Sequence, residues 1–188
     1  METEIQSWAN LATEVGSCRR CTLCDTPGKR VFGEIKLGCK VVFIGEGPGS
    51  EESAKGMPFI GASGKLLRNW AVACGLKEEE YSIFNVINCP LPGNRKPMKV
   101  EMTTCGVWLQ KQLQLLGCKK IVLLGAVAAE HMLEPSGYYL GGVMKYVGSR
   151  FTVGETEFLV MPHPSYVLRA MGSYDPPIDK MKQFVEDD

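Results

Sequence analysis

The chain has little histidine, no surplus of charge and no long apolar run, and each shortage removes a class of protein. With two histidines among 188 residues, imidazole chemistry can come only from His131 or His163. Basic and acidic side chains number 21 each, so the net charge is zero. The overall basic field common among nucleic-acid binders is therefore absent, and only local clusters can attract a polyanion. No apolar stretch approaches the roughly 18 residues of a membrane-spanning helix. The start, Met1-Glu2-Thr3-Glu4, is acidic and lacks the basic-then-apolar pattern of a secretion signal, so a reducing cytoplasm is the expected setting. Eight cysteines then read as metal ligands or packing residues, not disulfides. Composition shifts and low-complexity runs are missing too. Residues 1–188 are expected to form one domain, of ordinary globular composition at 45% apolar and 22% charged residues.

What is present alternates. Ile5, Trp8, Leu11, Ala12 and Val15 recur at helical spacing and predict a helix leading to Cys18. Residues 40–44 are a short apolar run ending in Gly45, as in a buried strand, and a glycine-rich turn follows. Helices are expected over 65–73, 107–116 and 126–133, strands over 81–86 and 120–124, and a hairpin from 143–153 and 157–161 turning near Gly154. The alternation predicts an α/β fold, a mainly parallel sheet covered by helices, with ligands beyond the carboxyl ends of the strands. Three segments fall there together: Gly45 to Phe59, Asn85 to Arg95, and His163 to Arg169.

Cys18 and Cys21 supply two thiolates from one turn, and Cys89 with Cys105 two more from either side of a distant loop. Four soft ligands suit a [4Fe–4S] cluster or tetrahedral zinc, and spacing does not choose between them. Cys39, Cys74 and Cys118 lie in or beside apolar segments and read as small buried hydrophobes. Cys24 makes a second CxxC with Cys21 and could stand in for a ligand or neighbour the centre.

Gly45-Glu46-Gly47-Pro48-Gly49-Ser50 follows a strand but does not match a dinucleotide turn: Ser50 replaces the third glycine and no P-loop lysine follows. Its glycines allow close approach to a flat ligand, and Glu46 offers a carboxylate. Asn85, ending a strand, can present donor and acceptor together. His163, between prolines in a loop, is the better histidine for chemistry; His131 sits in an expected helix and reads as structural.

Taken together these segments resemble the family 4 uracil-DNA glycosylases, the iron–sulfur branch of the uracil-DNA glycosylase superfamily, over roughly residues 16 to 172. The resemblance rests on Cys18-Arg19-Arg20-Cys21, the turn at 45–49 with Glu52, Gly56-Met57-Pro58-Phe59-Ile60-Gly61, Asn85-Val86 with Cys89-Pro90 and Asn94-Arg95-Lys96-Pro97, and His163-Pro164-Ser165-Tyr166. It implies a three-layer α/β/α sandwich and a [4Fe–4S] cluster on Cys18, Cys21, Cys89 and Cys105. It also implies a monomer that flips uracil out of DNA and hydrolyses its glycosidic bond. By the same resemblance Phe59 stacks on the base, Gly47 lies against it, Asn85 reads its polar edge, and His163 meets the oxygen that gains charge. Other branches of the superfamily carry an aspartate where this chain has Gly47, so Glu46 is the candidate for positioning water, with Glu52 behind it. Arg95, Lys96, Lys99 and Arg169 are expected to contact DNA, and Val167 and Leu168 to fill the gap left by the base. Ser53, the neutral flank of Cys89 and the extra Cys24 depart from the pattern. No long basic insertion follows Arg95, which separates the chain from the uracil-trapping relatives. A glycosylase for another base and a non-catalytic DNA-binding module remain the alternatives.

Overall fold

Short apolar runs become strands here because each is covered on both faces. The computed structural model describes residues 2–187; Met1 and Asp188, the ends of the expected domain, lie outside the described residues. Five strands form one sheet: β1 (Val41–Gly45), β2 (Tyr81–Asn85), β3 (Lys120–Leu124), β4 (Arg150–Val153) and β5 (Thr156–Met161), in the order β2-β1-β3-β5-β4. The first, second, third and fifth run parallel, and β4 pairs antiparallel with β5 at the edge.

Side chains alternate between two cores with the strand period of two. Val42, Ile44, Phe84, Ile121, Leu123 and Val160 pack with α1 (Glu2–Gly16), α4 (Lys99–Leu116) and α5 (Ala126–Leu133). Val41, Phe43, Ile83, Val122, Leu124 and Leu159 pack with α3 (Ala62–Ala73) and α7 (Ile178–Glu186). Helix, sheet, helix is the expected three-layer order. Because β1 has β2 on one side and β3 on the other, the chain reverses direction across the sheet at β1, and a crevice opens above the carboxyl ends.

The helices expected at 65–73 and 107–116 are longer, beginning at Ala62 and Lys99. The hairpin arm expected from residue 143 is shorter. Residues Val143–Tyr146 form a single 3-10 turn, Gly142 and Gly148 take left-handed φ of 103° and 80°, and the strand starts only at Arg150. Three helices were not foreseen: α2 (Ser50–Lys55), α6 (Pro164–Arg169) and α7. The first two are single-layer caps of six residues, too short to show a periodic apolar stripe. For α7 the stripe exists, in Ile178, Met181, Phe184 and Val185, all of which pack on the second core.

Candidate active site and four-cysteine patch

Glycine at the end of β1 makes the site possible. Gly45 pairs with Asn85 across β1 and β2, and a Cβ on it would lie 2.6 Å from both the Asn85 Oδ1 and the Phe59 ring. Only a missing side chain lets amide and ring meet there. Phe59 itself is buried with a left-handed φ of 48°, a strained conformation for a residue with a bulky side chain. Two contacts over-determine it. Glu52 Oε1 accepts the N–H groups of Ile60 at 3.0 Å and Gly61 at 2.9 Å. Gly64, early in α3, approaches so closely that a Cβ would fall 1.6 Å from the Phe59 carbonyl oxygen. Glu52 is thus engaged as a loop anchor behind the ring.

His163 caps α6. Its Nδ1 accepts the Ser165 N–H at 3.2 Å and lies 2.8 Å from Ser165 Oγ. A ring nitrogen that accepts a backbone N–H carries no proton, so the neutral imidazole holds its hydrogen on Nε2. Burial, reinforced by the Arg169 charge, lowers the His163 pKa to about 4, so the ring is neutral near pH 7. It stands 5.9 Å, centroid to centroid, from Phe59. Gly125, after β3, leaves room for it: a Cβ there would be 2.9 Å from the His163 Cβ.

These residues line a cavity of about 710 Å³ together with Glu46, Gly47 and Lys96. Asn85 is 3% exposed, and its Oδ1 is buried with no hydrogen-bond partner. Such an atom costs free energy unless something donates to it. Burial raises the pKa of Glu46, opposed by the nearby charges of Lys96 and Arg169. An adjoining hollow of about 790 Å³ runs between α2 and the loops at 22–28 and 90–94. It contains none of Phe59, Asn85 or His163, so the smaller cavity is the one with a recognition surface.

The expected DNA-contact residues divide. Lys96, Leu168 and Arg169 are exposed. Lys99 is exposed and faces Glu134 at 3.5 Å. Val167 turns back and packs on the second core. Arg95 forms two short hydrogen bonds with the buried carboxylate of Glu101, at 2.8 and 2.6 Å, and that carboxylate also accepts the Met98 N–H at 2.7 Å. The clamp ties the loop after Cys89 to the helix carrying Cys105. Its signal lies in the sequence, as an arginine six positions before a glutamate in the first turn of α4, but burial of Glu101 is a tertiary fact. Ser53 is buried beneath Gly28, whose Cβ would lie 3.2 Å from the serine's own. A small residue is what that contact needs.

Cys18, Cys21, Cys89 and Cys105 come together on the α1–α4 side of the sheet, in or against the first core. Burial first, and then the neighbouring Cys21 and Cys18, raise the Cys89 thiol, while Arg30 pulls it down. Cys105 is pushed up to about 12 by burial, with Cys89, Cys21 and Cys18 adding to it. The Asn88 N–H donates to the Cys105 sulfur at 3.3 Å, and Arg30 donates to the carbonyls of Gly16 at 2.9 Å and Cys18 at 2.7 Å. Burial first, and then the neighbouring Asp25 carboxylate, raises the Cys24 thiol. Among the described residues, no three histidine, cysteine, aspartate or glutamate side chains are closed into a group ready for a metal ion. The four thiols share one patch, and soft sulfur donors are the chemistry an iron–sulfur cluster takes. His131 packs its ring over Gly106, where a Cβ would be 2.2 Å away, and so joins α5 to α4.

No helix among the described residues is long and apolar enough to cross a membrane. The family model of the uracil DNA glycosylase superfamily matches residues 32–187. The chain is 33% identical over 168 residues to a type-4 uracil-DNA glycosylase of Archaeoglobus fulgidus, covering 87% of this chain and 84% of that one. It is 35% identical over 155 residues to the type-4 uracil-DNA glycosylase of Thermotoga maritima, covering 80% and 79%. With that of Sulfurisphaera tokodaii it shares 32% over 182 residues, covering 94% and 80%. Matches of this length and identity place the chain in the uracil DNA glycosylase superfamily, in its type-4 branch.

Proposed function

We propose that the protein removes uracil from DNA by hydrolysing its N-glycosidic bond, leaving an abasic site for repair. The observation that carries this reading is the unpartnered Asn85 amide oxygen, buried beside an aromatic ring in a cavity large enough for a base. Uracil presents an N3–H donor next to its O4 acceptor, so one amide can accept from the first and donate to the second. Cytosine offers an amine where uracil has O4, and that mismatch in a dry pocket is worth kilocalories. To reach this amide the base must leave the stack, and Phe59 offers the face on which it rests.

His163 supplies the complementary donor. With Nδ1 occupied by Ser165, Nε2–H is directed to the uracil oxygen that becomes negative as the bond breaks. A fixed neutral donor stabilises that anion without first losing a proton of its own. The sugar left behind is oxocarbenium-like and takes up water. Glu46, half-buried at the cavity wall, holds that water as the carboxylate, in the place of the aspartate of other branches. Lys96 and Arg169 meet the phosphates on either side of it, and exposed Leu168 enters the gap in the stack. Arg95 keeps its clamp on Glu101.

Cys18, Cys21, Cys89 and Cys105 would hold a [4Fe–4S] cluster. When bound, it cross-links three separate segments and does no bond-breaking. The converging thiols and the Asn88 N–H to Cys105 sulfur support that role.

The test is a single-stranded oligonucleotide with one uracil, incubated with cluster-containing protein and with Asn85→Ala. Release of free uracil that falls about 10²- to 10³-fold in the variant, with DNA binding intact, is expected. No release by the parent protein, despite an intact cluster and bound DNA, would turn the reading toward another base or a non-catalytic module.

A further inference from the structure

The four-residue sequence Leu-Gly-Cys-Lys occurs twice, at 37–40 and at 116–119. Each copy leads directly into a strand, the first into β1 and the second into β3, and these two strands are parallel neighbours. The register is in step as well. Cys39 stands three residues before Val42, Cys118 three residues before Ile121, and Val42 pairs with Ile121. The preceding glycines take the same left-handed turn, with φ of 72° at Gly38 and 68° at Gly117. Two identical turns in register therefore set two cysteines side by side at the amino edge of the sheet, opposite the base-sized cavity. Neighbouring strands lie about 4.8 Å apart, within the Cα separation a disulfide spans.

The contacts agree with that placement. The Cys118 thiol and the buried Ser82 hydroxyl both lie close enough to Cys39 to act on its titration. Cys118 Sγ donates to the Lys120 carbonyl at 3.5 Å. The neighbouring Cys118 first, and then Ser82, lowers Cys39 to about 7 despite its burial, while Cys118, facing that forming thiolate, is raised. One sulfur is thus readied as the attacking thiolate and the other keeps its proton. Both are free. Gly38, Gly117 and Lys119 above them are exposed, and Cys118 is itself half-buried, so the pair lies just under the surface.

We propose that Cys39 and Cys118 are a redox-active dithiol that exchanges with small linear disulfides to form a disulfide of its own, separate from the four-cysteine patch. The Cys39 thiolate attacks one sulfur of the small disulfide, forms a mixed disulfide and releases a thiolate, which takes up a proton. Cys118, losing its proton, then attacks the Cys39 sulfur and expels the second small thiol. Two protein thiols and one disulfide become one protein disulfide and two small thiols, so electrons and protons balance. The product staples the amino ends of β1 and β3 and closes a loop of about 80 residues in the unfolded chain.

The experiment treats the cluster-containing protein with hydroxyethyl disulfide, alkylates remaining thiols with N-ethylmaleimide and maps the peptides by mass. The expected result is a linked peptide pair containing Cys39 and Cys118, two hydrogens lighter than the sum. A melting temperature higher by about 5–10 °C, reversed by dithiothreitol, should accompany it. Cys39→Ser and Cys118→Ser should each abolish the link and the shift while keeping the visible absorbance of the cluster. If Cys39 and Cys118 of the parent protein stay fully alkylated, or stop at a mixed disulfide, while cluster absorbance persists, the proposal fails. Because the readout is peptide mass and not uracil release, its outcome is independent of the proposed function.

Discussion

The base-sized cavity at the carboxyl edge of the sheet and the four-cysteine patch against its first core are built by opposite means. The cavity is made by leaving side chains out. Gly45, Gly64 and Gly125 each stand where a Cβ would collide with Phe59, Asn85 or His163, and the Asn85 Oδ1 that remains is left unpaired. The cysteine patch is made by clamping side chains in. Arg30 grips the carbonyls of Gly16 and Cys18, and Arg95 grips Glu101. Absent atoms give a rigid space that waits for a ligand, whereas paired charges give loops a fixed position. A substitution in the first region should damage recognition and spare the cysteines, and a substitution in the second should do the reverse.

The largest effect is expected at Gly64. A methyl group there meets a backbone carbonyl that cannot swing away, so Gly64→Ala should displace Phe59 and lower uracil release at least about 100-fold. Visible cluster absorbance should persist; its loss would break the comparison, by showing that the cavity wall and the patch share one fold unit. Glu101→Gln tests the other side. With the ion pair lost and one accepting oxygen replaced by an NH2 donor, the melting temperature should fall by about 5 °C, while release per cluster-containing molecule stays within a few-fold of the parent.

Acidity sharpens the contrast, because both titrating groups lie on the cavity side. In the proposed reaction Glu46 acts as the carboxylate, and because burial raises its pKa the rate should fall with acid at a higher pH than an ordinary carboxylate dictates. Glu46→Gln should be slower and lack that limb, declining only near pH 4, where His163 takes up its proton. Stability follows the histidine too. Between its unfolded value near 6.5 and about 4 the unfolded chain binds more protons, so stability is full above that window and is lost through it as pH falls. His163→Asn should flatten this part of a melting-temperature profile. The smallest effect belongs to Cys24→Ser, which should leave cluster absorbance unchanged, in contrast to Cys21→Ser.

Much of this architecture is legible in the chain. Doubly buried strands announce themselves as runs such as 41–44, and the placing of Asn85 and His163 after strands is enough to bring them to one edge. The clamps are not legible, because Arg95 looks like any loop arginine until the burial of Glu101 is known; for that reason it read as a DNA contact. Val167 likewise looks outward in sequence and turns inward in the fold. The seven residues by which the expected hairpin arm exceeds β4 owe their strand-like look to apolar residues between Gly142 and Gly148, where left-handed turns override strand propensity. Cys39 and Cys118 read singly as packing residues, and only the strand register reveals them as partners.

Gly47 carries a consequence for how such a site can change over time. A Cβ at this position would lie 3.3 Å from both the Ile87 Cβ and the Leu91 Cδ1, and Leu91 is two residues beyond Cys89. Introducing an aspartate there, as in the other branches, would press on the loop that positions a cysteine. The mutational route is therefore epistatic: the loop at 87–91 must give way before an acid at 47 is tolerated, so the order of substitutions, and not only their sum, decides which descendants can fold.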